Sequence, residues 1–170
     1  MTGTDGPDDL TGEDGGDTLL GDGGVDHLDG GAGDDIVSGG VEGDTLDGGP
    51  GNDTLDGGSG GDTLDGGADD DTMIGGSGAD TFRAGEGNDT IIDYDETEGD
   101  VIDISGVAGA SNGNLSVSKN ADGTVNLSVD GSADNTITFS DIDYVDGSSP
   151  EENLDSLLGQ VEIDDGTTVV

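Results

Sequence analysis

The chain has no cysteine. Disulfides therefore hold nothing together, and the redox compartment stays open, since proteins of either kind do without cysteine. Positive charge is almost absent: Arg83 and Lys119 stand against 42 acidic residues, for a formal net charge of −40. Such a surface repels nucleic-acid phosphates and anionic lipid head groups and argues against both as partners, while it attracts polyvalent cations. No stretch approaches the ~20 apolar residues of a transmembrane helix, so membrane insertion is not expected. Residues 1–10 lack the basic residues and apolar run of a cleaved secretory signal. Leu, Ile, Val and Phe make up only 35 of 170 residues, about the level below which highly charged chains stay unfolded. Composition alone reads as disorder, in a length that suits one domain or two small ones.

What the chain does have is a period. Set out in nines from Gly3, it makes ten repeats that end at Ile92. The sixth position is Asp in all ten: Asp8, Asp17, Asp26, Asp35, Asp44, Asp53, Asp62, Asp71, Asp80 and Asp89. The eighth is apolar in all ten: Leu10, Leu19, Leu28, Val37, Leu46, Leu55, Leu64, Met73, Phe82 and Ile91. Asp fills 34 of 170 positions, so ten in phase by chance has odds of roughly 10⁻⁷, and a repeat architecture is the better explanation. The first position is Gly except at Ala84. The second is Gly from Gly31 onward, with Thr4, Glu13 and Asp22 before it, and the fourth is Gly except at Glu42 and Asp69. Glycines at fixed offsets mean a recurring tight turn. The last three positions, such as Thr54-Leu55-Asp56, alternate polar and apolar as a half-buried strand does. The spacing therefore predicts a six-residue turn and a three-residue strand in each repeat.

Hard oxygen donors dominate, thiols are lacking and His27 is the sole imidazole, a donor set that suits calcium or magnesium. Aspartates on stacked turns, about 4.8 Å apart, repel unless they are protonated or bridged by a cation. Magnesium demands stricter octahedral geometry, which favours calcium in a carbonyl-rich turn. One aliphatic side chain per repeat does not offset the entropy lost in ordering nine glycine-rich residues, so binding and folding are expected to be coupled.

The unit Gly-Gly-x-Gly-x-Asp-x-U-x, with U a large apolar residue, resembles the nonapeptide of the RTX (repeats-in-toxin) calcium-binding family over residues 3–92. The resemblance implies an all-β fold, a right-handed parallel β-roll with two repeats per coil. It places calcium between successive turns on one edge, held by the sixth-position Asp and by main-chain carbonyls. Carried onto this chain, Asp8, Asp26, Asp44, Asp62 and Asp80 line one edge, and Asp17, Asp35, Asp53, Asp71 and Asp89 the other. The carbonyls implied are those of Gly31, Gly33, Gly40, Gly49, Gly51, Gly58, Gly60, Gly76, Gly78 and Gly87. Five turns per edge leave four gaps, which implies up to about eight calcium ions. The non-glycine residues at second and fourth positions count against the sites they border.

From Asp93 the repeat dissolves. Residues 89–105, Asp-Thr-Ile-Ile-Asp-Tyr-Asp-Glu-Thr-Glu-Gly-Asp-Val-Ile-Asp-Ile-Ser, resemble the segment that closes RTX rolls in secreted proteases. Asp100 is a candidate for one further, degenerate turn. Residues 93–145 are expected to form an antiparallel β cap, with a hairpin over residues 114–129 around Asp122-Gly123 and another strand over residues 136–142. In residues 146–170, Ser149-Pro150-Glu151-Glu152 reads as the start of a short helix, with Leu154, Leu157 and Leu158 on one face. From Val161 the chain reads as a frayed tail, and its acidic ending is similar to the export signals of type I secretion.

Other motifs have simpler explanations. The repeat itself generates the Gly-x-Ser-x-Gly at residues 57–61, with no helix after it, and the acceptor triplets Asn52-Asp53-Thr54 and Asn88-Asp89-Thr90. His27, at a seventh position, is expected on the surface. The Asp93–Glu98 stretch lacks the central glycine of a helix–loop–helix calcium loop. With no catalytic set in evidence, an enzyme is not expected. The chain reads as a monomeric, secreted or cell-surface calcium module that passes type I secretion machinery unfolded. Two alternatives stand beside it: a recognition module for a polysaccharide or ice through its threonine-bearing faces, and a disordered acidic calcium buffer.

Overall fold

The computed structural model describes residues 1–103, 115–119, 125–129, 136–139, 161–163 and 167–168, and every helix or strand among them is a strand. In chain order these are β1 (Asp9–Thr11), β2 (Thr18–Gly23), β3 (His27–Asp29), β4 (Ile36–Val41), β5 (Thr45–Pro50), β6 (Thr54–Ser59), β7 (Thr63–Ala68) and β8 (Thr72–Ser77). They continue with β9 (Thr81–Arg83), β10 (Asn88–Ile91), β11 (Val101–Asp103), β12 (Leu115–Lys119), β13 (Val125–Val129), β14 (Thr136–Phe139), β15 (Val161–Ile163) and β16 (Thr167–Thr168). The fold is a parallel β-solenoid. Strands β1, β3, β5, β7, β9 and β11 lie side by side in one sheet, and β2, β4, β6, β8 and β10 in the other. Thr45 pairs with Thr63, Leu46 with Leu64 and Asp47 with Asp65, so one coil takes two repeats.

Inward and outward faces follow from the period of two along each strand. Asp44, Leu46 and Gly48 are buried, whereas Thr45 is exposed and Asp47 half-buried. The eighth positions stack as two columns between the sheets: Leu19, Val37, Leu55, Met73 and Ile91 on one, Leu28, Leu46, Leu64 and Phe82, continued by Ile102, on the other. These nine eighth-position side chains and Ile102 are completely buried, whereas Leu10, paired with Leu28 at the first coil, is half-buried. The seventh positions form in-register outer rows, such as Thr54, Thr72 and Thr90, and His27 is exposed among them.

The strands are longer than the spacing predicts. Three residues hold for β1, β3 and β9, but β2 and β4 to β8 run for six, through the first and second positions, a glycine pair in all but β2, where they are Gly21 and Asp22. Gly49 pairs with Gly67 and Pro50 with Ala68, because residues without bulky side chains let adjacent coils approach along their whole length. The turn shrinks to positions four to six.

From the second repeat on, both the second and fourth positions are left-handed, including the four that are not glycine: Glu13, Asp22, Glu42 and Asp69, at φ of 70 to 81°. An added Cβ at Gly58 would stand 2.3 Å from the Gly40 carbonyl oxygen of the preceding coil. Side chains at the second position occur only in the first three repeats. Asp22 stacks on Thr4, which is not left-handed.

At the C-terminal end both sheets continue with later strands. Strand β10 pairs in parallel with β14, which is followed by β13 and β12 in antiparallel order; β11 pairs in parallel with β15, and β15 antiparallel with β16. The expected hairpin is present as β12 and β13, with Leu115 opposite Val129 and Lys119 opposite Val125. Val161–Ile163 and Thr167–Thr168 are strands rather than a frayed tail, since the free edge of β11 offers a partner to the strand-forming Val-Glu-Ile. The helix expected from Ser149 lies outside the described residues.

Replacing Glu42 with glycine relieves a strained left-handed residue and should raise stability by about 1 kcal/mol, whereas Gly58→Ala should lower it by more than about 2 kcal/mol. Denaturant unfolding in saturating calcium measures both.

Candidate metal centre

Each turn ends in an inward-facing aspartate, and the aspartates of alternate repeats stack. The main-chain N–H of Asp26 donates to Oδ1 of Asp44 at 2.8 Å, that of Asp44 to Asp62 at 2.7 Å, and that of Asp62 to Asp80 at 2.8 Å. Asp8 begins this column by donating to Asp26. The other edge runs the same way through Asp17, Asp35, Asp53, Asp71 and Asp89. The structure thus brings together the two rows of carboxylates read from the sequence. Asp100 extends the first: it is 3% exposed and accepts the Asp80 N–H at 3.0 Å, offset by 20 residues instead of 18.

The second carboxylate oxygen is the unusual one. Oδ2 of Asp26, Asp35, Asp44, Asp53, Asp62, Asp71 and Asp80 is buried and has no hydrogen-bond donor. Burying a carboxylate oxygen without a partner is costly, so each of these oxygens favours an electropositive partner or a proton. A cradle lies beside most of them. The point where a Cβ on Gly39 would stand is 2.4 Å from Asp44 Oδ2 and 2.8 Å from the carbonyl oxygen of Gly57. Equivalent points occur at Gly21, Gly30, Gly48 and Gly57, facing Asp26, Asp35, Asp53 and Asp62 together with the carbonyls of Gly39, Gly48, Gly66 and Gly75. Among the described residues no group of three or more His, Cys, Asp or Glu side chains could hold a metal. The donor set is therefore one carboxylate with main-chain oxygens, all hard, and it fits a hard divalent cation such as calcium.

The first-position carbonyls were not among the glycines singled out from the sequence. Their signal is the alternation itself: positions six, eight and one all face inward. The predicted glycines, Gly31, Gly33, Gly40, Gly49, Gly51, Gly58, Gly60, Gly76, Gly78 and Gly87, are all left-handed. Carbonyls of this set lie close against the next coil, with Gly31 O 2.1 Å from where a Cβ on Gly49 would be and Gly33 O 2.2 Å from that of Gly51. Thr4, at a departed second position, donates its N–H at 2.6 Å and its hydroxyl at 3.0 Å to Asp8 Oδ2. Ser59 of the Gly-x-Ser-x-Gly stretch ends β6 and is followed by β7, not by a helix.

A model of the RTX calcium-binding nonapeptide repeat (four copies) matches residues 2–37, 29–64, 38–73 and 56–91, together more than half of the chain. A comparison with curated protein sequences finds no match. Among solved structures, the AlgE6R2 subunit of the Azotobacter vinelandii mannuronan C5-epimerase is 27% identical, over 77% of this chain and 88% of that one, with a TM-score of 0.50. The AlgE6R3 subunit from the same epimerase is 24% identical over 99% of this chain and 84% of that one, at a TM-score of 0.42. The extracellular lipase LipA of Serratia marcescens is 16% identical over 95% of this chain and 39% of that one, also at 0.42.

Burial pushes the stacked carboxyls up: Asp62 to about 6, Asp89 to about 7 and Asp71 to about 8. Burial likewise raises Asp44, Asp53, Asp80 and Asp100. The N–H of the preceding coil's aspartate opposes the rise, and neighbouring carboxylates add to it. A carboxyl whose pKa is raised on folding favours the fold when protonated. Its contribution is complete below the ordinary value of 3.8 and is lost as the pH rises through about 6 to 8. In chelator, strand signal in far-UV circular dichroism should therefore grow as the pH falls from about 8 toward about 4. A signal indifferent to pH would contradict this.

Proposed function

Because the chain belongs to the RTX calcium-binding nonapeptide repeat family, we propose that it is a calcium-binding module whose roll folds as calcium enters the turns. The observation that carries this reading is the set of seven buried Oδ2 atoms without donors. A divalent cation supplies the positive charge that those of Asp26, Asp35, Asp44, Asp53 and Asp62 lack and neutralises facing carboxylates. Asp26, Asp35, Asp44, Asp53 and Asp62, with the first-position carbonyls beside them, are the ligands that this reading favours most and form the core of a set expected to hold up to about eight ions. Residues 3–92 are then the calcium-dependent part, closed by strands from residues 93–145.

The same coupling gives the module its biological sense. At cytosolic calcium the chain, at a net charge of −40, stays extended and fits passage through a type I export channel. Outside the cell, calcium at a concentration that loads extracellular modules, on the order of 10⁻⁴–10⁻³ M, drives folding. Binding energy that is absent from the unfolded chain becomes folding energy.

Calcium added to chelator-treated protein should produce a cooperative gain of strand signal, with little response to magnesium. Binding without a gain in strand would leave the disordered calcium buffer as the better description. Gly48→Ala, which fills the cradle beside Asp53, should move the calcium midpoint upward; an unmoved midpoint would exclude that cradle as a site.

A further inference from the structure

The turn Gly75–Asp80 has no nonapeptide stacked beyond it. Inner turns pass their N–H groups to main-chain carbonyls of the next coil: Gly30 donates to Asp47, Gly33 to Pro50 and Gly60 to Ser77. Beyond Gly75–Asp80 lies the segment Asp93–Asp100, and side chains take over. Asp93 accepts from the N–H of Gly75 at 2.9 Å and of Gly76 at 2.7 Å. Glu98 Oε2 accepts from Gly78 at 2.9 Å, in the part that a third-position carbonyl plays in the inner turns. Asp100 accepts from Asp80 through Oδ1, and its Oδ2 accepts from the N–H of Asp95 at 2.8 Å. Three carboxylates thus occupy four N–H groups of one turn, a concave set of donors of the kind that binds anions.

Two differences separate this gap from the inner ones. Asp80, whose Oδ2 faces this gap, leaves it without a donor as the inner aspartates do, but Asp100 beyond it has both oxygens partnered, which no inner aspartate from Asp26 to Asp80 has. In addition, the point beside Gly75 that faces Asp80 Oδ2 at 2.5 Å is 2.7 Å from Cζ of Phe82. A ring carbon stands where the inner cradles present a carbonyl oxygen.

We propose that the gap between Gly75–Asp80 and Asp93–Asp100 is a metal-free clasp, in which the chain's own carboxylates close the edge that calcium fills elsewhere. This rests on calcium binding in the inner turns and fixes where it stops. Asp93 and Glu98 act as stand-ins for the carbonyls of a missing repeat, and Asp100 ends the column instead of binding the last ion.

The test counts ions. Calcium bound at saturation is measured by equilibrium dialysis for the full chain, for Asp44→Asn, for Asp100→Asn and for Asp93→Asn/Glu98→Gln, with far-UV circular dichroism to check folding. Asp44→Asn should bind at least one ion fewer. Asp100→Asn and the double variant should keep the full count, while the double variant melts at lower temperature in saturating calcium. Loss of an ion from Asp100→Asn or from the double variant would overturn the clasp, as would an unchanged melting temperature in the latter. If the double variant does not fold, Asp93→Asn and Glu98→Gln are measured singly against the same two criteria. A parent chain that binds no calcium would refute the underlying reading instead, which keeps the two failures apart.

Discussion

An aspartate that faces inward in every nonapeptide is the constraint on which the rest of this structure depends. Its Oδ1 accepts the N–H of the aspartate one coil earlier and so fixes the stacking of the turns. Its Oδ2 is buried without a donor in seven turns. The same carboxylate that sets the coil spacing therefore makes the coil unfavourable until a cation or a proton arrives. A hydrophobic interior only one side chain per repeat deep, however completely buried, has little with which to override that condition.

Glycine follows from the aspartate. The first position shares the inward face with it, and the Asp44 carboxylate lies against Gly39 where any side chain would collide. The second and fourth positions carry the left-handed bends that bring the chain round in so few residues. Glu42 and Asp69 adopt the bend at a conformational cost, so their loss of glycine strains the turn without rerouting it. Closure at the end of the roll answers to the same electrostatics: with no further repeat to supply carbonyls, carboxylates from Asp93 and Glu98 meet the exposed N–H groups.

Much of this was legible in the sequence. A strict period, an invariant sixth position and an apolar eighth one point to a repeat architecture before any coordinates, and the RTX resemblance, which implies two repeats per coil, adds the two rows of carboxylates. Asp100 could be suspected because residues 89–105 resemble the segment that closes RTX rolls. The length of the strands could not be read, since glycine is a poor strand former and pairs here through register with the same positions of the neighbouring coils, mostly glycine as well. The alternation marks the first position as inward-facing, but that its carbonyl lies beside the aspartate of the preceding coil depends on register across a gap of 18 residues, which local pattern does not supply. The pairing of β15 with β11 depends likewise on a long-range partner that local pattern does not identify.

Amide hydrogen exchange at Asp26, Asp35, Asp44, Asp53 and Asp62, compared in calcium and in chelator at neutral pH, tests the central claim most directly. These are the N–H groups that the carboxylate columns hold. Strong protection in calcium and exchange near the unfolded rate in chelator is the predicted result. Equal protection in both would show that the columns stand without a cation and would contradict the account.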